Sequence, residues 1–547
     1  MPKFTPAELD AHRAKLAATA KKQAIIKVGL NTCGDAAGAL PVMAAIKEAV
    51  QKAGLDAQIV KTGCAGMCGL EPLVEVAVGG EAPTMYGNVT AAMASEIVEK
   101  HAAGGKPVAA YKVPSIAEMS SDQPVMGKQY RIVLRNCGVI DPESLDDYIA
   151  RDGYQATKQV LTAMTPEQVI GELETSGLRG RGGAGFPTFM KWKLTRASRM
   201  GEQKYIICNG DEGDPGAYMD RSVLEGDPHA VIEGMIIGGW VIGASIGIFY
   251  IRAEYPLAIE RIEKAIRQAR ANGLLGKNIL GTGFDFDCEI RLGAGAFVCG
   301  EETALIASVE GKRGTPQPRP PYPAQKGLWD QPSMVNNVET LANIPQIVLR
   351  GGSWFGAIGV GRSKGTKVFA VTGKVKISGL IEIPMGTTLR QVVMDICGGT
   401  TTGKPVKAVQ TGGPSGGLIP ASMLDTPITY EDLGKLGSIM GSGGMIVMDE
   451  SDNTVELSRF YLDFSVDESC GKCAPCRIGG TQMLRTIDKI AARKGTAADI
   501  AKIRKIALTM QRGSLCALGQ TTPNPVLSAL RYFESEWTER LLPVAKK

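Results

Sequence analysis

The stretch Glu468-Ser-Cys470-Gly-Lys-Cys473-Ala-Pro-Cys476-Arg places three cysteines in one short loop, and Cys516 stands alone much later in the chain. This arrangement suits a cuboidal iron–sulfur cluster, because one loop can bind three of its corners and a distant residue can bind the fourth. Structural zinc usually takes two separate pairs of cysteines, so zinc and unused thiols are the alternatives that the spacing favours less. The pattern therefore predicts a [4Fe–4S] cluster and makes one-electron transfer the first hypothesis for function.

The sequence on either side of this stretch changes its periodicity several times, which predicts an α/β multidomain fold. From Ser458 onward the pattern is helical, and the cysteine loop lies at the start of a predicted helix, whose N-terminus favours an anionic cluster. Separate helices are predicted at 482–493, 498–511 and 525–541. The predicted units are an N-terminal helical arm (1–22), a small α/β domain (23–110), a linker (111–125), a glycine-rich α/β block (126–363), a compact β-rich module (366–445) and a helical domain (446–547).

Composition narrows the function classes. The chain has 547 residues, with 61 basic and 56 acidic residues and a formal net charge of +5. No block of like charge stands out, so neither nucleic acid nor an anionic membrane surface is favoured as the main partner. Three histidines give little support to a hydrolase that uses a histidine base. Twelve cysteines, several at ligand-like spacing, indicate a reducing compartment and metal sites rather than disulfides.

Two segments bear on where in the cell the protein is found. Residues 1–23 carry charges throughout and lack the apolar core of a signal peptide. The most apolar run, 235–251, lies between Glu233 and Arg252 and is short for a membrane span. The run contains glycines and changes to β-branched and aromatic residues at 246–251. This pattern predicts a buried helix followed by a buried strand. We therefore expect a cytoplasmic protein that does not span a membrane.

A glycine-rich loop reads Gly177-Leu-Arg-Gly180-Arg-Gly182-Gly-Ala-Gly185-Phe186-Pro. It contains a literal G-x-G-x-x-G, but residues 165–176 before it look helical rather than strand-like, so it fails the test for a Rossmann dinucleotide fingerprint. Glycines still allow a backbone to lie flat against a ligand. The alternative is a flexible surface loop.

Further segments combine polar side chains with ligand-binding contexts. A predicted strand at 205–209 runs into an acidic loop with Asp211 and Glu212, and α/β folds bind ligands at the carboxyl ends of strands. A glycine turn at 293–300 opens a helix and offers free N–H groups to a phosphate. Tyr322, framed by prolines, suits stacking on a flat ring, and Asn336-Asn337 supplies donors at another helix start. Each segment also has a structural alternative, as a solvated turn or a helix cap.

Taken together, these segments resemble the NADH-binding flavoprotein subunit of respiratory complex I, a subunit type that also occurs in NAD-linked hydrogenases and formate dehydrogenases. The resemblance covers roughly residues 126–540 and implies a Rossmann-like FMN domain, a β-grasp module of the soluble-ligand-binding type at 366–445, and a C-terminal helical bundle with the iron–sulfur cluster. It rests on six motifs in unbroken order, which are Gly180-Arg-Gly-Gly-Ala-Gly-Phe-Pro-Thr, Asn209-Gly-Asp-Glu, Gly300-Glu-Glu-Thr, Pro320-Pro-Tyr-Pro-Ala-Gln, Asn336-Asn-Val-Glu-Thr and Glu468-Ser-Cys-Gly-Lys-Cys-Ala-Pro-Cys-Arg.

The resemblance also implies roles for single residues. Phe186 would lie against the nicotinamide and act with Glu212 in hydride transfer, Tyr322 would lie against adenine, and Lys191 would stabilise reduced flavin. Phe297 stands where the family often has tyrosine and Leu194 where some members have an aromatic residue, so the choice between NAD and NADP stays open. The implied FMN site consists of Gly180, Gly182, Lys191, Asn209, Asp211, Phe297, Gly300, Asn336 and Asn337, and the implied nucleotide site of Phe186, Glu212, Glu302, Arg319 and Tyr322, with Glu301 as a further cofactor-binding residue.

The N-terminal domain resembles a thioredoxin-like [2Fe–2S] ferredoxin through Cys33, Cys64 and Cys68. That family uses C-x4-C followed by C-x3-C, and Gly38 stands in this chain where the second cysteine is expected. The sequence leaves two alternatives, a [2Fe–2S] cluster with an unidentified fourth ligand or a docking domain without a cluster. Fusion of this domain to the flavoprotein resembles the hydrogenase and formate dehydrogenase subunits more than the respiratory subunit.

We therefore expect an NAD(P)H-oxidising, or NAD(P)+-reducing, subunit that exchanges hydride with FMN and passes single electrons through iron–sulfur clusters. The expected partners are a thioredoxin-like [2Fe–2S] subunit and a hydrogenase or formate dehydrogenase catalytic subunit, with ferredoxin as a further partner if the complex bifurcates electrons. The alternatives are an electron-relay or scaffold subunit without nucleotide turnover, and the flavoprotein subunit of a respiratory NADH:quinone oxidoreductase.

Overall fold

The computed structural model describes residues 3–18, 24–201 and 203–543. Within these residues the chain forms three larger sheets, a two-stranded ribbon and a C-terminal group of helices, which is a mixed α/β multidomain architecture. Residues 1–2 and 19–22 of the predicted N-terminal arm lie outside the described residues, as does residue 23, the first of the predicted α/β domain. No helix in the described ranges has both the length and the apolar character that crossing a bilayer requires.

The N-terminal part is an arm helix followed by a five-stranded sheet. Its elements are α1 (Pro6–Ala18), β1 (Ala24–Gly29), α2 (Thr32–Ala37), α3 (Ala39–Ala53), β2 (Ala57–Thr62), β3 (Val74–Val78), β4 (Thr84–Tyr86), α4 (Ala91–Ile97), β5 (Lys112–Val113) and α5 (Ile116–Met119). The strand order is β2-β1-β3-β4-β5, with β1 parallel to β2 and antiparallel to β3. Alternate residues of β1, such as Ile26 and Val28, pack with Val42 and Ile46 of α3. Strand β5 falls in the segment predicted as a linker.

The central part is built on a four-stranded parallel sheet. Its elements are α6 (Leu145–Ala150), α7 (Gln155–Ala163), α8 (Pro166–Ser176), α9 (Thr188–Ala197), β6 (Tyr205–Gly210), α10 (Met219–Gly226), α11 (Pro228–Ile242), β7 (Ile246–Arg252), α12 (Pro256–Ala271), β8 (Asp287–Gly293), α13 (Glu302–Val309), β9 (Ser333–Asn337), α14 (Val338–Arg350), α15 (Gly352–Gly356), β10 (Gly359–Val360) and β11 (Ser363–Lys364). The order is β8-β7-β6-β9. The buried helix and strand predicted within 235–251 are confirmed as α11 and β7.

Both faces of the parallel sheet are buried, as near-continuous apolar strands require. Ile206 and Phe249 belong to a large core that includes α11 and α14. Ile207 and Ile248 face the other way, into a smaller core with Leu305 of α13. Helices on both faces leave the carboxyl edge of the sheet open for a site.

The third part is a five-stranded mixed sheet with one α-helix and a π-helical segment at Gln391–Ile396. Its elements are β12 (Thr366–Gly373), β13 (Gly379–Pro384), β14 (Val406–Thr411), β15 (Leu418–Pro420), α16 (Tyr430–Lys435) and β16 (Gly444–Asp449). The order is β13-β12-β16-β14-β15, in which only β12 and β16 are parallel. The last strand runs past residue 445, where the sequence placed the end of this module.

The C-terminal part is helical. Its elements are α17 (Thr454–Asp467), α18 (Ala474–Ala491), α19 (Ala497–Gly513), α20 (Ala517–Thr521), α21 (Asn524–Tyr532) and α22 (Glu534–Thr538). Helix α18 begins directly after Cys473 and α20 directly after Cys516. The single helix predicted over 525–541 is wrong, because Phe533 has φ −134° and ψ 39° and separates α21 from α22.

Candidate functional site

The carboxyl ends of the parallel strands meet at one edge of the central sheet, and many predicted site residues lie there. Strand β6 ends beside Asp211 and Glu212, and β9 ends with Asn336 and Asn337. Asn209 is the register partner of Asn337 across these two strands. In α/β sheets this edge is where ligands bind, so the acidic loop and the asparagine pair share one candidate site.

The glycine loop connects α8 with α9, and its contacts place it beside the same edge. Because α8 precedes it, the prediction that it is not a Rossmann fingerprint is confirmed. The Gly180 N–H donates to the Phe186 carbonyl at 2.8 Å and closes the loop. The buried Arg181 donates its own N–H to Thr340 Oγ1 at 2.8 Å, and its guanidinium to the Thr366 carbonyl at 3.0 Å. Arg181 thereby fixes the loop to α14 and to β12.

Gly180 and Gly182 differ in the space beside their backbone. A Cβ atom built at Gly180 would come no closer than 3.6 Å to another group, whereas one at Gly182 would lie 3.2 Å from Asn337 Cβ, a tight contact. Gly183 and Gly185 have φ of 126° and 63°, so the turn itself requires glycine there. Gly180 therefore presents open backbone on which a ligand could lie, and Gly182 allows the loop to approach Asn337 closely.

Asn209, Asp211 and Gly300 are brought together as predicted. Asn209 Nδ2 donates to the Gly300 carbonyl at 2.9 Å, and Asn209 Oδ1 accepts from the Asp211 N–H at 3.1 Å. Asp211 Oδ1 lies 3.4 Å from Arg252, whereas the buried Oδ2 has no hydrogen-bond partner among the described residues. Burial raises the pKa of Asp211 to about 7, against the opposing charge of Arg252. A buried oxygen without a partner is costly, so Asp211 is placed to receive a polar group of a ligand.

Glu212 is buried and holds the N-terminus of α10. Its carboxylate oxygens accept from the N–H groups of Asp220 and Arg221, both at 3.1 Å. Burial raises the pKa of Glu212 to about 7, although these two donors favour its ionised form. The sequence did not predict that Glu212 caps α10. Its role in hydride transfer stays a prediction.

Lys191, Glu302 and Arg319 form a chain of charges. Lys191 Nζ lies 3.1 Å from Glu302 Oε2 and donates to the Val335 carbonyl at 3.0 Å. Arg319 donates to Glu302 Oε1 at 2.9 Å. Burial alone would raise the pKa of Glu302, but the two cations hold it below its ordinary value. The predicted flavin cation and two predicted nucleotide residues therefore form one cluster.

Three other predicted residues already have structural partners. Glu301 caps α13, since its carboxylate accepts from two backbone N–H groups of the first turn at 2.9 and 3.0 Å. Asn336 Oδ1 accepts from Trp192 Nε1 at 2.9 Å. Asn337 caps α14 and donates to Asp220 Oδ2. These contacts position the backbone around the site.

Exposed apolar side chains lie beside the charge cluster. Phe186, Met190 and Leu194 are 47, 37 and 51% exposed. Met190 and Leu194 lie four residues apart on one side of α9, and Phe186 lies two residues before that helix begins. Tyr322 is 53% exposed, with the Arg319 guanidinium 5.9 Å from its ring centroid. Large apolar groups that remain in water next to charges are typical of a binding surface.

Phe297 links this edge to the C-terminal cysteines. Its N–H donates to Glu468 Oε2 at 2.9 Å, and its ring packs edge-to-face on Phe464 with centroids 5.5 Å apart. Glu468 opens the loop that carries Cys470. The sheet edge and the cysteine loop are thus in direct contact.

The four C-terminal cysteines line a single cavity, as their spacing predicts. About 290 Å³ of space in and around this cavity holds no protein atom, and Val298, Pro316 and Leu518 also line it. Ser469 Oγ lies 3.3 Å from Cys476 Sγ. The four lining cysteines are Cys470, Cys473, Cys476 and Cys516.

The donor set fits a cluster better than a single ion. Across residues 3–18, 24–201 and 203–543, no three His, Cys, Asp or Glu side chains converge on a point where one metal ion could bind. The C-terminal cysteines instead surround a space, and each iron of a [4Fe–4S] cluster needs only one thiolate from the protein. Their arrangement therefore meets the geometric demand of a cluster.

The three N-terminal cysteines also converge. Cys64 Sγ and Cys68 Sγ are 3.5 Å apart. The neighbouring thiols of Cys33 and Cys64 raise the pKa of Cys68 well above its ordinary value. Gly38 ends α2 with φ of 98°, and a Cβ built on it would meet nothing within 4 Å. Position 38 therefore faces open space rather than the three thiols.

Sequence reasoning missed several residues that shape these sites. Arg181 anchors the glycine loop, Arg252 faces Asp211, and Trp192 donates to Asn336. Each acts on a residue that is distant in sequence or belongs to a different motif. No local signal could have identified them.

Comparison with protein families gives two matches that correspond to these sites. Residues 173–346 match the Nuo51 FMN-binding domain, which here includes the glycine loop, the acidic loop and the asparagine pair. Residues 456–540 match the NADH-ubiquinone oxidoreductase-F iron–sulfur binding region, which here includes all four C-terminal cysteines.

Individual relatives support the same assignment. NADP-reducing hydrogenase subunit HndC from Solidesulfovibrio fructosivorans is 58% identical over 410 residues, which cover 75% of this chain and 83% of that protein. The F subunit of NADH-quinone oxidoreductase in Aquifex aeolicus is 44% identical over 394 residues, covering 72% of this chain and 90% of that protein. A crystal structure of NAD+-reducing [NiFe]-hydrogenase in the H2-reduced state matches with a TM-score of 0.68 and 29% identity, over 99% of this chain and 88% of that chain. The chain therefore belongs to the family of FMN-binding, [4Fe–4S]-binding flavoprotein subunits that includes the F subunits of NADH-quinone oxidoreductases.

Proposed function

We propose that the chain is the NAD(P)H-oxidising, or NAD(P)+-reducing, subunit of a multisubunit oxidoreductase. The observation that carries the proposal is the direct contact between the sheet-edge site and the cysteine cavity, through Phe297 and Glu468. One site suits a flavin and a nicotinamide nucleotide, and the other suits a one-electron carrier. FMN, when bound, supplies chemistry that takes two electrons as a hydride and gives them up singly.

The residues at the sheet edge fit FMN. Gly180 offers open backbone, Gly182 lets the loop approach Asn337, and Asp211 Oδ2 is a buried acceptor that lacks a partner within the described residues. Asn209 and Gly300 hold the two loops that flank Asp211. Lys191, Phe297, Asn336 and Asn337 complete the proposed FMN site.

The exposed side of the same edge suits the nicotinamide nucleotide. Phe186 and Tyr322 present flat rings to solvent, and Arg319 supplies a cation beside them. Glu302 holds Arg319 and Lys191 in place by ion pairs of 2.9 and 3.1 Å. We assign Glu212 to positioning the nicotinamide for hydride transfer, from a place fixed by α10.

The fold supports finer assignments within the same proposal. We infer a thioredoxin-like domain at 24–113, a Rossmann-like domain at 126–364, a β-grasp domain at 366–449 and a helical [4Fe–4S] domain at 454–543. The position of β1 between β2 and β3 and the parallel pair β12 and β16 support the first and third assignments. A cytoplasmic location is part of the proposal.

We propose a hydrogenase catalytic subunit as the terminal partner. The 58% identical relative is a subunit of an NADP-reducing hydrogenase, and the similar solved structure is that of an NAD+-reducing hydrogenase. A formate dehydrogenase partner, a ferredoxin partner and electron bifurcation stay predictions.

NAD(P)H-dependent dye reduction by the FMN-loaded wild type separates this function from an electron relay without nucleotide turnover, since the relay predicts none. Glu212→Gln then tests the role of Glu212. The amide keeps the size of the side chain but loses its charge, so we expect dye reduction to fall by at least about tenfold while FMN stays bound. Glu167→Gln is the matched control, because Glu167 is an exposed residue paired with Arg196 on the surface. Unchanged nicotinamide oxidation in Glu212→Gln would contradict the assignment of Glu212.

A further inference from the structure

Ser469 lines the cysteine cavity, and its hydroxyl contacts one of the four sulfurs there. Ser469 Oγ lies 3.3 Å from Cys476 Sγ, which is hydrogen-bond distance for sulfur. Across the part of the chain that the structure describes, no other side chain is hydrogen-bonded to a sulfur of this cavity. A cluster bound by the four cysteines would therefore have one hydroxyl group in contact with one of its thiolates.

The direction of this hydrogen bond follows from the second contact of Ser469. The Gly471 N–H donates to Ser469 Oγ at 3.3 Å, so the oxygen already accepts one proton. The hydroxyl keeps its own proton to donate, and Cys476 is the acceptor within reach. A cysteine that binds iron is a thiolate and has no proton to give. Ser469 is therefore the donor and Cys476 Sγ the acceptor.

The backbone around Ser469 is fixed on both sides. The Ser469 N–H donates to the Val466 carbonyl at 3.2 Å, which ties it to the end of α17. The preceding Glu468 accepts from the Phe297 N–H at 2.9 Å. Gly471 has a φ of 74°, and this left-handed conformation lets the chain turn so that its N–H returns to Ser469. The hydroxyl thus has a defined position in the loop.

Cys476 is fixed by other elements. It lies in the first turn of α18, where the next residue, Arg477, donates its N–H to the Cys473 carbonyl at 3.1 Å. A Cβ atom built on Gly519 of α20 would lie 2.9 Å from Cys476 Cβ, so that helix packs directly on the cysteine. Donor and acceptor are each held by separate helices, which makes their hydrogen bond a stable feature of the fold.

The cations near the cavity are bound to backbone carbonyl groups instead. Lys472 lines the cavity, but its ammonium group donates to the Pro316 carbonyl at 2.5 Å. Arg313 donates to the Cys470 carbonyl at 3.1 Å. These charges act on an anionic cluster as a whole, whereas the hydroxyl of Ser469 acts on a single thiolate.

We propose that Ser469 raises the reduction potential of the [4Fe–4S] cluster through its hydrogen bond to Cys476. Reduction adds one electron, and so one negative charge, to the cluster and its thiolates. A hydrogen bond donated to a thiolate therefore stabilises the reduced form more than the oxidised form. No proton is transferred and no bond to iron is made or broken. The inference deepens the proposed function, on which it rests for the flavin as the source of the electron.

The test measures the potential of this cluster in the full-length chain, by EPR during anaerobic titration with dithionite. Ser469→Ala removes the donor. At a fixed solution potential we expect the ratio of reduced to oxidised cluster to fall about 3- to 10-fold, which lowers the potential by about 30–59 mV. Ser469→Thr keeps a hydroxyl group and should keep the wild-type potential.

Ser465→Ala is the matched control. Ser465 is a buried serine of α17, and its hydroxyl donates to the Tyr461 carbonyl at 2.9 Å rather than to a cysteine. This variant should keep the wild-type potential. A second measurement uses the reduced cluster in D2O, where electron–nuclear double resonance should detect an exchangeable deuteron in the wild type and Ser469→Thr that Ser469→Ala lacks.

Retained iron and FMN in Ser469→Ala, together with the lower potential, would support the proposal. An unchanged potential overturns it. Loss of the cluster from Ser469→Ala, or an equal shift in Ser469→Thr, also overturns it, because the serine would then act by shaping the loop. A wild type without the deuteron signal overturns it even if Ser469→Ala does not fold. Failure of the proposed function would appear separately, as a wild type without NAD(P)H-dependent dye reduction.

Discussion

Replacing Gly180 by alanine separates the binding role of the glycine loop from its role in folding. The added methyl group meets nothing in the chain closer than 3.6 Å, and Gly180 is not among the glycines with positive φ. Alanine therefore fits the free chain and restricts the unfolded chain. We expect the free energy of unfolding of the cofactor-free protein to rise by about 0.4–1 kcal/mol or to stay unchanged.

The same methyl group occupies space that we assign to FMN. An extra methyl group in a packed site costs about 1–3 kcal/mol. Because 1.4 kcal/mol corresponds to a tenfold change in affinity, FMN binding should weaken roughly 5- to 150-fold. Affinity and stability should thus change in opposite directions.

Two measurements decide the case: titration of the cofactor-free chain with FMN, followed by fluorescence, and chemical denaturation of the same sample. Gly171→Ala is the matched control, since Gly171 lies in α8 and a Cβ there would meet nothing within 4 Å. This control should gain stability and keep the wild-type Kd. A wild-type Kd for Gly180→Ala would refute the FMN cradle, and a loss of stability would refute the claim that the loop has room.

Three further changes test separate parts of the structure. Cys516→Ser removes one wall of the cysteine cavity, so the EPR signal of the reduced [4Fe–4S] cluster should vanish while FMN binding persists; a retained signal contradicts the ligand assignment. Lys367→Met leaves the buried carboxylate of Glu339 without its cation, so chemical denaturation should show a loss of about 3–5 kcal/mol, and a loss below about 1 kcal/mol would argue against a functioning pair. Burial raises the pKa of Asp214 from 3.8 to about 6. Between pH of about 4 and about 6, the folded chain therefore keeps a proton that the unfolded chain has lost. The free energy of unfolding should fall as pH rises through this range. Asp214→Asn should flatten this slope in denaturation at several pH values, and equal slopes would count against the burial of the carboxyl group.

The parts of the fold that could be predicted are those in which local pattern and burial agree. The run at 235–251 changes from a glycine-containing apolar segment to β-branched residues, and the structure has α11 followed by β7. The cysteine loop precedes a helix, because Pro475 in its first turn and the residues after it favour one. The break at Phe533 could not be predicted, since nothing in its sequence context marks the non-helical φ and ψ that end α21.

The sequence predicted the candidate site as a set of motifs, but it did not predict which contacts each side chain makes. Glu301 follows a glycine turn at the start of a helix, and such a carboxylate can bind a ligand or cap the helix equally well; in the structure it caps α13. Arg181 and Arg252 contact residues far away in sequence, and one sequence read by itself gives no signal for such pairs. Their contacts follow from tertiary packing.

Anaerobic addition of NADH or NADPH to the FMN-loaded wild-type chain tests the central claim most directly. The account predicts that flavin absorbance falls and that the EPR signal of the reduced [4Fe–4S] cluster then appears, whereas Cys516→Ser shows the fall in absorbance without the signal. A chain that binds FMN but shows no change in flavin absorbance with either nucleotide would contradict the account.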